Sequence, residues 1–234
     1  MLTVNTLMSL AAGAAKACAR LSAKAGSASG FLYCAVTGEV QMLELLLGLF
    51  VFLGVHSMRI FADGWRSAMI ERMGALAWKG LYALLSLLGF WLLIRGWAQL
   101  RLEPQVLWTT PVALRHVAAV LMLPSFVLWV AAYVPGNLIR ARLHHPMVLG
   151  TKTWALAHLL ANNTVADLLL FGSFLVWSVV LFVASRRRDR REQRPAATGR
   201  LAPTVLTVLL GLGVWAAFAF WLHAALIGVR PMGG

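Results

Sequence analysis

Residues 165–194 read VADLLLFGSFLVWSVVLFVASRRRDRREQR. Val165–Ala184 is an apolar run of bilayer length, because about 20 helical residues cross a hydrocarbon core of about 30 Å. Asp167 is its one charged side chain. Lipid offers backbone N–H and C=O groups no partners, so a run like this spans as a helix that bonds internally. The sequence then turns abruptly basic, with Arg186, Arg187, Arg188, Arg190, Arg191 and Arg194 in nine positions. Such a segment reads as a solvated cytoplasmic loop, the side on which Lys and Arg collect.

Working outward, five further apolar runs have the same character. The expected spans are Leu43–Phe61, Leu76–Trp97, Val112–Val134, Met147–Ala161, Val165–Ala184 and Pro203–Val229. The fourth is the shortest and most polar, which suits a helix shielded by its neighbours. The fold expected is all-α, a polytopic membrane helix bundle of about six transmembrane helices. Composition agrees: 60% of the 234 residues are hydrophobic and 12% are charged, against about 25% charged in a soluble domain. The net charge of +13 comes from 21 Lys and Arg against 8 Asp and Glu. Most of these basic residues fall outside the spans, so they set topology and do not mark nucleic-acid binding. By alternation, Arg66, Arg72, Arg140, Arg142, His144 and His145 share the cytoplasmic side. The segments around Arg101 and around Asn162-Asn163-Thr164 take the other side.

Residues 1–41 differ from 42–234. They are rich in Ala, Ser and Gly, with Lys16, Arg20 and Lys24 four apart. The expectation is an N-terminal extension, disordered or preceding a true start at Met42, followed by one transmembrane domain over 42–234. Both cysteines, Cys18 and Cys34, fall in the extension. No CxxC pair is present, which excludes a sequence-coded iron–sulfur cluster or covalent c-type haem. There is no Gly-x-Ser-x-Gly, phosphate-binding loop or His-Glu-x-x-His, so hydrolytic chemistry has little support.

Ionisable groups at membrane depth are costly and mark candidate sites. On a helix, Thr151, Trp154, Ala155, His158 and Asn162 share one face, giving a polar stripe that should point inward. His158 reads either as a metal or haem ligand or as a histidine bonded to another helix. In the first span His56 and Arg59 are one turn apart. A neutral imidazole can bind iron and an arginine can hold an anionic group; alternatively Arg59 extends to the headgroups. Lys152, roughly 9 Å along the helix from His158, is a second candidate for an anionic group. His145-Pro146 reads as a helix start, since proline suits the first turn. His223, in the last span, is a further buried imidazole.

Taken together, His56-Ser57-x-Arg59-Ile60, Arg142-x-x-His145-Pro146-Met147-x-x-Gly150, Trp154-Ala155-Leu156-Ala157-His158-Leu159-x-x-Asn162 and His223-x-x-x-x-Gly228-x-x-Pro231 resemble the NnrU family. These are bacterial multi-helix membrane proteins associated with nitrite and nitric oxide reduction in denitrifiers. The resemblance covers roughly 42–232 and extends to plant 15-cis-ζ-carotene isomerase, which holds haem b between membrane helices. It implies a multi-pass protein of the bacterial inner membrane with haem b as cofactor and His56 and His158 as ligands to the haem iron. His223 is the reserve ligand. Arg59, Arg142, His145 and Lys152 complete the expected cofactor-binding set. Partners implied are the lipid bilayer, haem and a hydrophobic small molecule. The plant enzyme carries a cysteine where this chain has Ala155, which removes a residue implicated in its redox ligand switching.

The expected role is redox or isomerase-like, or accessory to denitrification. One alternative is a non-catalytic membrane assembly or scaffold protein. The other is an S-adenosylmethionine-dependent membrane methyltransferase, because Arg142-x-x-His145-Pro146-x-x-x-Gly150 resembles the cofactor motif of that group. Those enzymes carry a downstream glutamate pair that this chain lacks.

Overall fold

A computed structural model describes residues 28–193 and 197–231, with side chains from residue 38. The described residues form an all-α protein without a β-sheet. The chain falls into two compact units: residues up to Val106 together with Thr164–Ala166, and Leu107–Asn163 together with Asp167 onward.

The first unit is a helical hairpin. Helix α1 (Ala28–Phe61) leads through the short α2 (Asp63–Met73) into α3 (Ala75–Leu100). The expected start of the first span at Leu43 therefore lies inside a longer helix that already runs through residues 28–41. Residues 1–27, including Cys18, lie outside the described residues. The hairpin is close-packed through glycine. A Cβ on Gly89 would lie 2.7 Å from the Phe52 backbone nitrogen, and one on Gly96 2.5 Å from that of Leu45. Gly48 meets the Leu93 backbone in the same way. Small residues let membrane helices approach backbone to backbone, where dispersion replaces the missing hydrophobic drive.

Helix α2 buries no side chain and carries a surface ion pair, Arg66–Asp63 at 3.4 Å. The segment expected only as a connection is thus helical. At the far end of the unit, Val165 N donates to Gln105 O at 3.0 Å.

The second unit holds α4 (Val112–Tyr133), α5 (Leu138–Leu143), α6 (Pro146–Ala161), most of α7 (Val165–Arg191) and α8 (Leu201–Ala217). A single π-helical turn (Phe218–Leu222) then passes into α9 (His223–Ile227). Among the described residues, five helical stretches are long and apolar enough to cross a membrane: Gly38–Phe61, Ala75–Leu100, Val112–Tyr133, Val165–Arg191 and Leu201–Ile227. The expected fourth span, α6, has 16 residues, or about 24 Å of helix, short of the bilayer core. Their outward faces remain apolar: Leu76 is 85% and Leu84 67% exposed. Water would punish such a surface, whereas lipid accepts it.

The arginine run after Ala184 is not a loop. Helix α7 continues through it to Arg191. Arginine is a good helix former, and cations in a last turn complement the unpaired carbonyls there.

Candidate functional site

Each candidate histidine is set by its own helix. In the first unit His56 lies near the end of α1, and its Nδ1 is 2.7 Å from Phe52 O. A carbonyl oxygen only accepts, so Nδ1 carries the proton, and in the tautomer this selects the lone pair is on Nε2. The ring packs 4.3 Å from Phe52 and edge-on to Tyr82 of α3 at 5.4 Å. The glycine contact at Gly89 fixes Phe52, and so indirectly the imidazole beside it. Arg59, one turn on, is exposed.

His158 in the second unit repeats this arrangement. Its Nδ1 donates to Trp154 O at 2.9 Å, again leaving Nε2 as the lone-pair nitrogen. Its ring lies 4.6 Å from Phe171 of α7 and 5.2 Å from Trp154. Asn162 Nδ2 donates to His158 O at 2.9 Å, closing the helix end. The expected inward stripe is observed: Ala155 is fully buried, and Thr151 accepts from Trp129 Nε1 at 3.3 Å. Helix α6 is seated on α4 by Gly150, where a Cβ would stand 2.7 Å from Trp129 Cδ1. Ser125 Oγ also donates to Gly150 O at 2.8 Å.

His223 and Asp167 both lie within electrostatic reach of His158. His223 follows the π-helical turn, whose wider winding re-aims the residues after it. Its Nδ1 donates to Val229 O at 2.6 Å. Gly228, in the left-handed region at φ 80°, turns the chain back so that this carbonyl reaches the ring. Only glycine adopts that conformation without strain. Three histidines therefore share one preparation, Nδ1 bonded to a backbone carbonyl. This second contact typically orients metal-bound imidazoles.

His145 is different. It precedes α6, with Pro146 in the first turn as the sequence suggests. Its Nε2 lies 2.7 Å from Asp189 Oδ2, and its ring is edge-on to Phe182. Lys152 Nζ sits 5.4 Å over the same Phe182 ring. His145 and Lys152 thus gather at Phe182, eleven residues along α7 from the Phe171 that covers His158, about 16 Å of helix. Arg142 is exposed on α5.

Among the described residues no group of three or more His, Cys, Asp or Glu is arranged to hold a metal ion. Two-imidazole ligation of a haem needs no such group.

The family model described as NnrU protein matches residues 44–231. The chain belongs to the NnrU family. No curated protein and no solved structure matches it. The NnrU match takes in the whole of α2 through α9 and every candidate residue named above. With five apolar spanning helices, this NnrU protein is a multi-pass membrane protein.

Two features escaped the sequence reading. Asp189 was passed over inside an arginine run, although a carboxylate flanked on both sides by guanidiniums is itself a signal. Glu44 and Arg95, both within apolar spans, form an ion pair at 3.3 Å. The Glu44 oxygen lacks hydrogen-bond alignment, so their attraction is electrostatic.

Proposed function

We propose that this NnrU protein is a haem b protein of the bacterial inner membrane, with His56 and His158 as ligands to the iron. The observation that carries this reading is the shared state of the two imidazoles. Each has its Nδ1 proton held by the carbonyl four residues back, its Nε2 as the donor nitrogen, and aromatic rings around it. That donor set fits a bis-histidine haem. A neutral imidazole needs no deprotonation to bind iron, and fixing Nδ1 sets the ring plane. Haem iron ligated in this way supplies one-electron exchange. The protein's own part is to orient the imidazoles and to exclude water with Phe52, Trp154 and Phe171. The role this supports is redox or isomerase-like, or accessory to nitrogen-oxide respiration, with a hydrophobic small molecule as partner.

His223 is the reserve ligand. It shares a unit with His158, lies near it, and its Nδ1 is likewise bonded to a backbone carbonyl. The scaffold reading draws less support, because the hydrogen bond of His158 runs within its own helix and not to another. The methyltransferase reading also draws less support. His145 engages Asp189, and the space in front of Gly150 is taken by Trp129.

The test is an absorption spectrum of protein purified from haem-replete cells. A Soret band is expected, lost in His158→Ala and His56→Ala and retained in His145→Ala. Loss in His223→Ala with retention in His56→Ala would assign the second ligand to His223. A folded, colourless wild-type protein would overturn the reading.

A further inference from the structure

One line of exposed residues runs up the outer face of α7. Val176, Val180 and Val183 are 65%, 38% and 42% exposed, and their spacing of four and three keeps them on one side of the helix. The same spacing continues to Arg187, Arg190 and Arg191, which are exposed in turn. Asp189, one of the two acidic residues of the run beside the exposed Glu192, faces the other way and is held by His145. The line is therefore valine for about 10 Å and guanidinium for about the next 10 Å.

A phospholipid standing beside the helix has the same order of chemistry, acyl chain and then phosphate. Placing positive charge near a helix end would satisfy topology alone. It would not require the most exposed arginines to continue the valine line, with Arg186 and Arg188 less exposed, nor the Asp189 carboxylate to turn away from it. Arginine also suits phosphate better than lysine, because its planar fork donates two parallel hydrogen bonds.

We propose that this stripe is a binding site for one anionic phospholipid of the bilayer. Its acyl chain lies along Val176, Val180 and Val183, and its phosphate is held by Arg187, Arg190 and Arg191. The proposal does not depend on haem.

The full chain, reconstituted in vesicles of equal phosphatidylglycerol and phosphatidylcholine and released for native mass spectrometry, reports which lipid is retained. Wild type should favour phosphatidylglycerol by at least about fivefold, the effect of the about 1 kcal/mol that a single arginine contributes near an anionic surface. Arg187→Gln/Arg190→Gln/Arg191→Gln should bring the two lipids to parity. Equal retention by wild type would overturn the proposal whether or not the triple variant folds. Displacement of phosphatidylglycerol by inorganic phosphate at equal concentration would indicate a site for a soluble anion and also overturn it. So would a triple variant that keeps its lipid but loses a wild-type dimer, which would assign the stripe to a second copy.

Discussion

His145 Nε2 and Asp189 Oδ2 lie 2.7 Å apart across 44 residues of chain, joining the start of α6 to the last turn of α7. Both side chains are mostly buried, at 17% and 9% exposure. The pair fixes how far α6 slides along α7, and with it the level at which His158 meets Phe171. Asp189→Ala is expected to lower stability by about 1–3 kcal/mol, the usual cost of leaving a buried polar partner unmatched. Thermal melts in detergent check this, with Arg190→Gln as control. A double-mutant cycle with His145→Ala should return a coupling of about 1 kcal/mol or more. Additive losses would show that the contact does no structural work.

The glycine contacts of the α1/α3 hairpin make a second prediction. Gly89→Ala and Gly96→Ala place a methyl against backbone that has no flexible end to move. Overpacking of this kind costs about 1–3 kcal/mol. Gly80, in the same helix, meets nothing within 4 Å. There the better helix propensity of alanine should dominate, and Gly80→Ala should be neutral or stabilising by up to about 1 kcal/mol. Melting temperatures of the three variants give the answer, and equal effects would count against the close approach.

Glu44 and Arg95 offer a third. Removing one partner of an ion pair strands the other at membrane depth, whereas removing both strands neither. Glu44→Leu should therefore destabilise more than Glu44→Leu/Arg95→Leu. If the double variant is the worse of the two in a thermal melt, the pair is not coupled.

What was legible in the sequence follows from what controls each feature. Five of the six expected spans were legible because apolar length decides them, whereas Met147–Ala161 is too short to be one of the five; Pro146 marked the start of α6 because proline lacks the N–H that a first turn wastes anyway. The extension of α7 through its arginines was not legible, since charge announces solvent and says little about backbone. Trp78, near a span end where an interfacial tryptophan would face the headgroups, is instead 7% exposed and packs 5.8 Å from Trp65 of α2, a contact set by a helix in a segment expected only as a connection. The inward face carrying His158 followed from helical periodicity. Its partners Phe171 and Trp129 depend on the register between helices, which no local pattern encodes. The π-helical turn before His223 has the same composition as the α-helix around it, so only the structure reveals it.

Gly150 permits a test that separates packing from cofactor recognition. Its missing side chain lets Trp129 and Ser125 O close on α6, and α6 in turn carries His158. If the glycine serves packing, Gly150→Ala should cost about 1–3 kcal/mol, and Trp129→Leu, which vacates the space at the indole Cδ1, should recover part of that loss. Trp129→Leu alone should also destabilise, because it removes the Nε1 bond to Thr151 and the ring contact with Phe126 at 5.3 Å. The double variant is then expected to be more stable than the sum of the two single losses. If the glycine instead serves close approach to a bound adenosyl cofactor, Gly150→Ala should leave the melting temperature unchanged and abolish S-adenosylmethionine binding measured by calorimetry. The first pattern ties the motif glycine to the placement of His158; the second would transfer the site to the start of α6.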